Sequence, residues 1–310
     1  MLSYSQIFKQ SFHITFKYPV LWIFGLFAAG GFNFNFLKSK EFGNITIREH
    51  IRVPEIFAYL QIHPGVLAVL SAGILLISVG GLLITNWSRV MLILSVNSVI
   101  EKKNVLLSEQ IKKSKLVLYP ALKMSLITSG LIIFVAAGLL LPTTLFVRDL
   151  AAKQTLFVLG GLIFLLLVYT VSYINIFTTF FIVLFKKSAW QALNLGADFF
   201  ISRWSPILAL SLVTSVIYIV GFVGGISIMF MVRVILYFFG SFLLRFGIFE
   251  FSAIILLIRL LFSLLLWLWL AGLSVFFNSV WLQFFTQYIL PISAEEKKIK
   301  TVVAPISLTA

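Results

Sequence analysis

Chemistry needs side chains that carry protons, metals or charge, and this chain holds few. In 310 residues there are three histidines, two aspartates and eight glutamates. Glu49, His50, Glu55 and His63 share one polar stretch and have the donor types for a metal ion. Their spacing, however, matches no helical two-histidine arrangement. His13 falls on a polar helix face, where a solvated imidazole is the simpler reading. No nucleophile elbow or phosphate-cradling glycine loop is present. The absence of cysteine excludes disulfides, thiol chemistry and Cys-ligated metals. The sequence therefore predicts no catalytic residue, no metal and no cofactor, and an intramembrane enzyme is the class it supports least.

The charges that stand out are arginines inside apolar runs. Arg259 lies eight residues into the run that opens at Phe251, Arg89 interrupts an apolar pattern from Trp87 to Ile100, and Arg233 sits among aromatic residues. A charge in hydrocarbon is costly and calls for a partner. Glu250 cannot serve Arg259 within one straight helix, because nine residues separate them by about 13 Å. Arg259, Arg89 and Arg233 are therefore the candidates for lipid or substrate contact, with interfacial anchoring as the competing role. Tyr169, Thr170, Ser172, Tyr173 and Asn175 in one run, and Ser274, Asn278, Ser279 and Gln283 in another, could line a polar path or bond between helices.

The elements that would position these residues are membrane spans. Hydrophobic residues make up 61% of the chain and charged ones 11%, far from the balance of soluble domains. Apolar runs at 19–32, 66–100, 125–145, 156–185, 206–231 and 251–290 predict about six crossings. The last run is about twice the length one crossing needs, so it is read either as one long helix or as two crossings. The segment 233–250 reads as an interfacial or re-entrant piece. Gly80-Gly81, Gly160-Gly161 and Gly224-Gly225 fall inside spans and are read as close helix contacts.

Three further stretches have helical periodicity with one apolar face. In the first, Ile7, Phe8, Phe12 and Phe16 oppose Gln6, Lys9, Gln10, His13 and Lys17, and Tyr18-Pro19 breaks the pattern. The second runs from Leu107 to Leu118 before Pro120. The third, Ala189 to Trp204 before Pro206, has Trp190, Leu193, Ala197, Phe200, Ile201 and Trp204 on one face. These predict membrane-surface helices, with Phe8, Phe12, Phe16, Trp190 and Trp204 as their lipid-side residues. Surface helix, proline and span pair then recur three times, over 1–104, 105–187 and 188–290, with 291–310 as a tail of one membrane domain, 1–310. The expected fold is all-α, a polytopic transmembrane helical bundle.

With an even number of spans, fourteen basic residues collect on the side of both termini and eight on the other. The positive-inside rule then places both termini in the cytoplasm. The formal charge of +14 is scattered between spans rather than gathered in a soluble motif. That pattern suits anionic phospholipid headgroups and argues against nucleic acid. Only two lysines precede the first apolar run, unlike the compact basic start of a cleaved leader.

The N-terminal unit Ser5-Gln6-Ile7-Phe8-Lys9-Gln10-Ser11-Phe12, followed by Lys17-Tyr18-Pro19-Val20-Leu21-Trp22-Ile23-Phe24-Gly25-Leu26-Phe27, resembles prokaryotic six-span proteins. Those proteins are similar to the membrane domain attached to some glycerophosphodiester phosphodiesterases. Ala189–Pro206 matches a second typical unit. The resemblance implies a membrane layout over most of the chain. It carries over no active-site residue, since the catalytic barrel would need about 200 further residues. The expected function is that of a non-enzymatic protein of a prokaryotic cytoplasmic membrane that organises lipids, a protein partner or further copies of itself. The alternative is a small transporter or permease-like protein with a polar path between helices.

Overall fold

The computed structural model describes residues 3–28, 64–103, 106–146, 149–244 and 251–303. Every element among them is an α-helix. In chain order they are α1 (Tyr4–Lys17), α2 (Leu21–Ala28), α3 (Pro64–Ile100), α4 (Leu107–Phe146), α5 (Leu150–Phe185), α6 (Ala189–Ser202), α7 (Trp204–Leu244) and α8 (Phe251–Val303). Five of them contain stretches long and apolar enough to cross a membrane: Gly65–Ile100, Leu107–Thr143, Leu150–Phe185, Trp204–Val232 and Leu261–Ile289.

Helix ends follow local chemistry. Ser3 caps α1 and Gln6 returns the bond to the Ser3 N–H, a capping box. Ser188 caps α6 and Asp149 caps α5 through their side chains. Pro19 lies in the turn between α1 and α2, and Pro206 falls in the first turn of α7, where its missing N–H costs nothing. Lys186 ends α5 in the left-handed region at φ 53°.

Two expected breaks do not occur. The segment before Pro120 is not a separate surface helix, because α4 runs unbroken through Pro120 and Pro142. Pro120 deprives only the Leu116 carbonyl of its bond, and it sits half-exposed between the exposed Leu116 and Tyr119, where solvent or headgroups can bond that oxygen. The segment from Arg233 is likewise no re-entrant piece as far as Leu244. It continues α7, since no proline or polar turn interrupts it. The last apolar run is one helix of 53 residues, about 80 Å by its rise per residue.

One burial register is shared by three helix starts. Counting from the residue before each helix (Ser3, Leu106, Ser188), positions four, eight and eleven along are buried. These are Ile7, Ser11 and Ile14 in α1, Gln110, Ser114 and Val117 in α4, and Ala192, Gly196 and Phe199 in α6. The middle position is small each time, and each seats on a long helix. Ser11 Oγ accepts from Gln283 Nε2 of α8 at 3.1 Å. Ser114 Oγ accepts from Trp87 Nε1 of α3 at 3.2 Å, and Gln110 Nε2 donates to Ser98 Oγ of α3 at 2.8 Å. Gly196 lies against Thr178 of α5, where a Cβ would stand 2.5 Å from Thr178 Oγ1. Thus α4 rests on α3, α6 on α5, and α1 on α8.

The core gathers at that end. It holds Val90–Ile93 of α3, Phe177 and Phe180–Val183 of α5, and Val280–Leu282, Phe284 and Phe285 of α8. Phe177, Phe180 and Phe199 pack on Phe285 with ring centroids 5.2–6.2 Å apart. The other half is unpacked: among the described side chains none is buried in 65–85, 129–143 or 150–176.

The glycine pairs do not make the expected contacts. A Cβ on Gly80, Gly81, Gly161 or Gly224 would meet nothing within 4 Å; within the pairs, only Gly225 approaches closely, to Leu266 and Trp269. The tight crossings use single glycines instead. At Gly25 of α2 a Cβ would stand 2.5 Å from the Ala271 carbonyl oxygen of α8.

Candidate functional site

At the boundary between the packed and unpacked halves, α3, α4, α5, α7 and α8 line an open cavity of about 690 Å³, within the size range of small-ligand sites. Its walls are helical stripes. Arg89 and Ile93 contribute one turn of α3; Ser125, Thr128, Ser129 and Ile132 form a stripe on α4. Ser172, Asn175, Ile176 and Thr179 do the same on α5, and Thr214, Ser215 and Tyr218 on α7. Asn278 and Trp281 come from α8, and Trp281 with Phe180 joins the cavity wall to the aromatic core.

On three of the five helices the distance from the nearer end is similar. Arg89 lies eleven residues before the end of α3, Asn175 ten before the end of α5, and Thr214 ten after the start of α7. Each is therefore about 15 Å from the helix ends on the side of α1 and α6.

The polar groups divide into spent and unspent. Thr128, Thr179 and Thr214 donate to the carbonyls of Met124, Asn175 and Leu210 at 2.7–2.9 Å, and Asn278 Nδ2 donates to that of Ser274 at 2.8 Å. By contrast, Asn175 Oδ1 is buried without a partner. No side-chain hydrogen bond joins Ser125, Ser129, Ser172 or Ser215 to another described residue, and no described carboxylate pairs with Arg89. Arg89 is the one charged residue in the lining. A guanidinium keeps its proton and offers five donors, so this exposed, unpaired cation with free hydroxyls suits an oxyanion such as phosphate, sulfate or carboxylate.

The predicted residues are dispersed. Arg89 lines the cavity with its side chain exposed; its neighbour Trp87 is held by Ser114 and by Phe24, ring to ring at 6.1 Å. Arg233 and Arg259 lie on α7 and α8, and their side chains are outside the described residues. Of the suggested polar path, Ser172, Tyr173, Asn175 and Asn278 line the cavity. Tyr169 bonds Ser211, Thr170 bonds its own helix, Ser279 bonds Val275, and Gln283 serves Ser11. Ser125, Thr128, Ser129, Thr214 and Ser215 were not foreseen, although their three- and four-residue spacing was the available signal.

Phe12, Phe16, Trp190 and Trp204 are exposed, while Phe8 is half-buried and stacks on Phe276 at 6.2 Å. Glu49, His50, Glu55 and His63, with Arg245 and Glu250, lie outside the described residues. Among the described residues no group of three His, Cys, Asp or Glu side chains gathers to hold a metal.

Comparison of the chain with protein-family models, with curated proteins and with solved structures returns no match. The reading of function rests on the cavity and on the sequence.

Proposed function

We propose that this is a non-enzymatic integral membrane protein whose spans line an anion-binding cavity, nearer to a small transporter or permease-like protein than to a scaffold acting only through its surface. Arg89 carries this reading. A cation without a described carboxylate partner on a membrane-spanning helix is costly in hydrocarbon, and the free serine hydroxyls lining the same cavity can donate to an oxyanion. Counting the run 19–32, of which α2 is a part, as a short first crossing gives six spans and both termini on one side. The lysine excess on that side supports a cytoplasmic placement in a prokaryotic membrane. The shared register of α1, α4 and α6 supports three helical-hairpin units.

A second reading, organisation of anionic lipid or a partner protein at the surface, is favoured by the exposed Phe12, Phe16, Trp190 and Trp204 on amphipathic helices. The likeness to the membrane domain of some glycerophosphodiester phosphodiesterases bears on layout alone.

Native mass spectrometry of the detergent-purified protein tests the cavity. An anionic adduct retained by the wild type and lost in Arg89→Gln is the expected result. A wild type without such an adduct, or equal retention in both, overturns the reading.

A further inference from the structure

The cavity's two ends differ. Toward α1 and α6 it abuts Phe180 and Trp281, behind which Phe177, Phe284 and Phe285 are fully buried. A hydrated ion approaching from that side meets a packed aromatic wall. Toward the other side the flanking helices are exposed: Phe134 of α4 at 76%, Leu166 of α5 at 69% and Val220 of α7 at 66%. In a bilayer those apolar surfaces, and the space between them, are filled by acyl chains. A soluble anion would therefore reach Arg89 only by leaving water for hydrocarbon. A lipid keeps its chains in that hydrocarbon while its head, turned toward α1 and α6, reaches Arg89.

Resting on the anion-binding reading above, we propose that the ligand is a phospholipid with a compact anionic phosphate head. It enters sideways between the spans and lies with its phosphate against Arg89, turned toward α1 and α6, and its chains between 129–143, 150–168 and 216–232. The head fits the chemistry: the guanidinium takes two phosphate oxygens, and the serine hydroxyls donate to others. The chains fit the exposed apolar walls. A phosphate held by a charge-assisted bond predicts at least about a tenfold loss when the charge is removed.

The test uses the full chain in nanodiscs containing phosphatidic acid with a photoreactive acyl chain, followed by peptide mapping. Expected is labelling concentrated on 129–143, 150–168 and 216–232, at least tenfold weaker in Arg89→Gln and largely kept in Arg89→Lys. Lysine tells loss of charge from loss of fold, and a tryptophan-fluorescence melt of each variant checks that both remain folded. Labelling equal in wild type and Arg89→Gln marks ordinary boundary lipid and overturns the proposal. Labelling centred on peptides of α1 and α6 overturns the sideways route. A melt raised by inorganic phosphate alone as much as by phosphatidic acid, and only when Arg89 is present, overturns the lipid while leaving the anion site standing. If neither probe gives an Arg89-dependent signal, the anion site itself has failed.

Discussion

Gly25→Ala is the sharpest test of the packing. At Gly25 the new methyl would stand 2.5 Å from the Ala271 carbonyl oxygen, 3.2 Å from its carbon and 2.9 Å from Val275 Cγ2. An ordinary carbon-to-oxygen contact is about 3.3 Å, so α2 and α8 must part by up to about 0.8 Å. Val275 can turn away, but the carbonyl belongs to the backbone of α8 and cannot. The overpacking cost therefore falls near the upper end of its range, about 3 kcal/mol. Alanine returns about 1 kcal/mol through its better helix propensity, leaving a net loss of about 2 kcal/mol. Gly80→Ala supplies the opposite case. Its methyl meets nothing within 4 Å, so only the propensity gain of up to about 1 kcal/mol remains. Unfolding by a denaturing detergent in mixed micelles, followed by tryptophan fluorescence, reads both. Trp22 suits this, since it packs over Gly272 and donates to the Thr15 carbonyl at 2.8 Å. A Gly25→Ala protein as stable as the wild type, or a Gly80→Ala protein as weakened as Gly25→Ala, would refute the argument.

Other perturbations divide along the same lines. Ser11→Ala leaves Gln283 Nε2 buried and unpaired and should cost about 1–3 kcal/mol; adding Gln283→Leu should recover part of that, read as coupling in a double-mutant cycle. Phe12→Glu with Phe16→Glu should fold, since both side chains are exposed, yet lose vesicle binding by α1. Ile7→Glu, at a fully buried position, should not fold, and equal expression of the two would disprove the assigned faces. Lys186→Gly should raise stability by up to about 1 kcal/mol by relieving a left-handed residue, measured as a shift in unfolding midpoint.

A pH effect of defined sign is expected at the α3–α4 turn. The Lys103 ammonium, 2.5 Å away, is the main reason the Glu101 carboxyl is held below its usual range; burial opposes it. A depressed folded value gives stability that is present above the unfolded value and fades as pH falls through the folded one. Because the pair is solvent-exposed, the effect should stay below about 1 kcal/mol. Glu101→Gln should abolish it in an acid titration of stability.

Much of the scaffold was legible because helix ends are local. Ser3, Ser188, Pro19, Pro206 and Lys186-Lys187 act through bonds to their near neighbours, and the structure uses each where its chemistry suggests. Pro120 misled because a proline within a long apolar helix removes one bond but not the hydrocarbon burial of the turns beyond it. The glycine pairs misled for a different reason. A glycine permits close approach but does not say what approaches, and Gly25 and Gly196 matter only because Ala271 and Thr178 arrive from distant parts of the chain. The cavity was half-visible. Asn175 and Asn278 are conspicuous in apolar runs, whereas Thr128 and Thr214 look like residues that bond their own helix. They do so, and still line the site.

The seating of α1 on α8 has a consequence for how the molecule is made. Ser11 and Gln283 are 272 residues apart, whereas α4 and α6 rest on helices already synthesised when they leave the ribosome. At about 5–20 residues per second, α1 waits some 14–55 seconds for its partner. During that interval its Ile7, Ser11 and Ile14 face has only membrane or chaperone to lie against. Of the eight described helices, the one made first is thus among the last to reach its final place, and arrest of synthesis before α8 should leave α1 open to protease while the α3–α4 and α5–α6 joints are already protected.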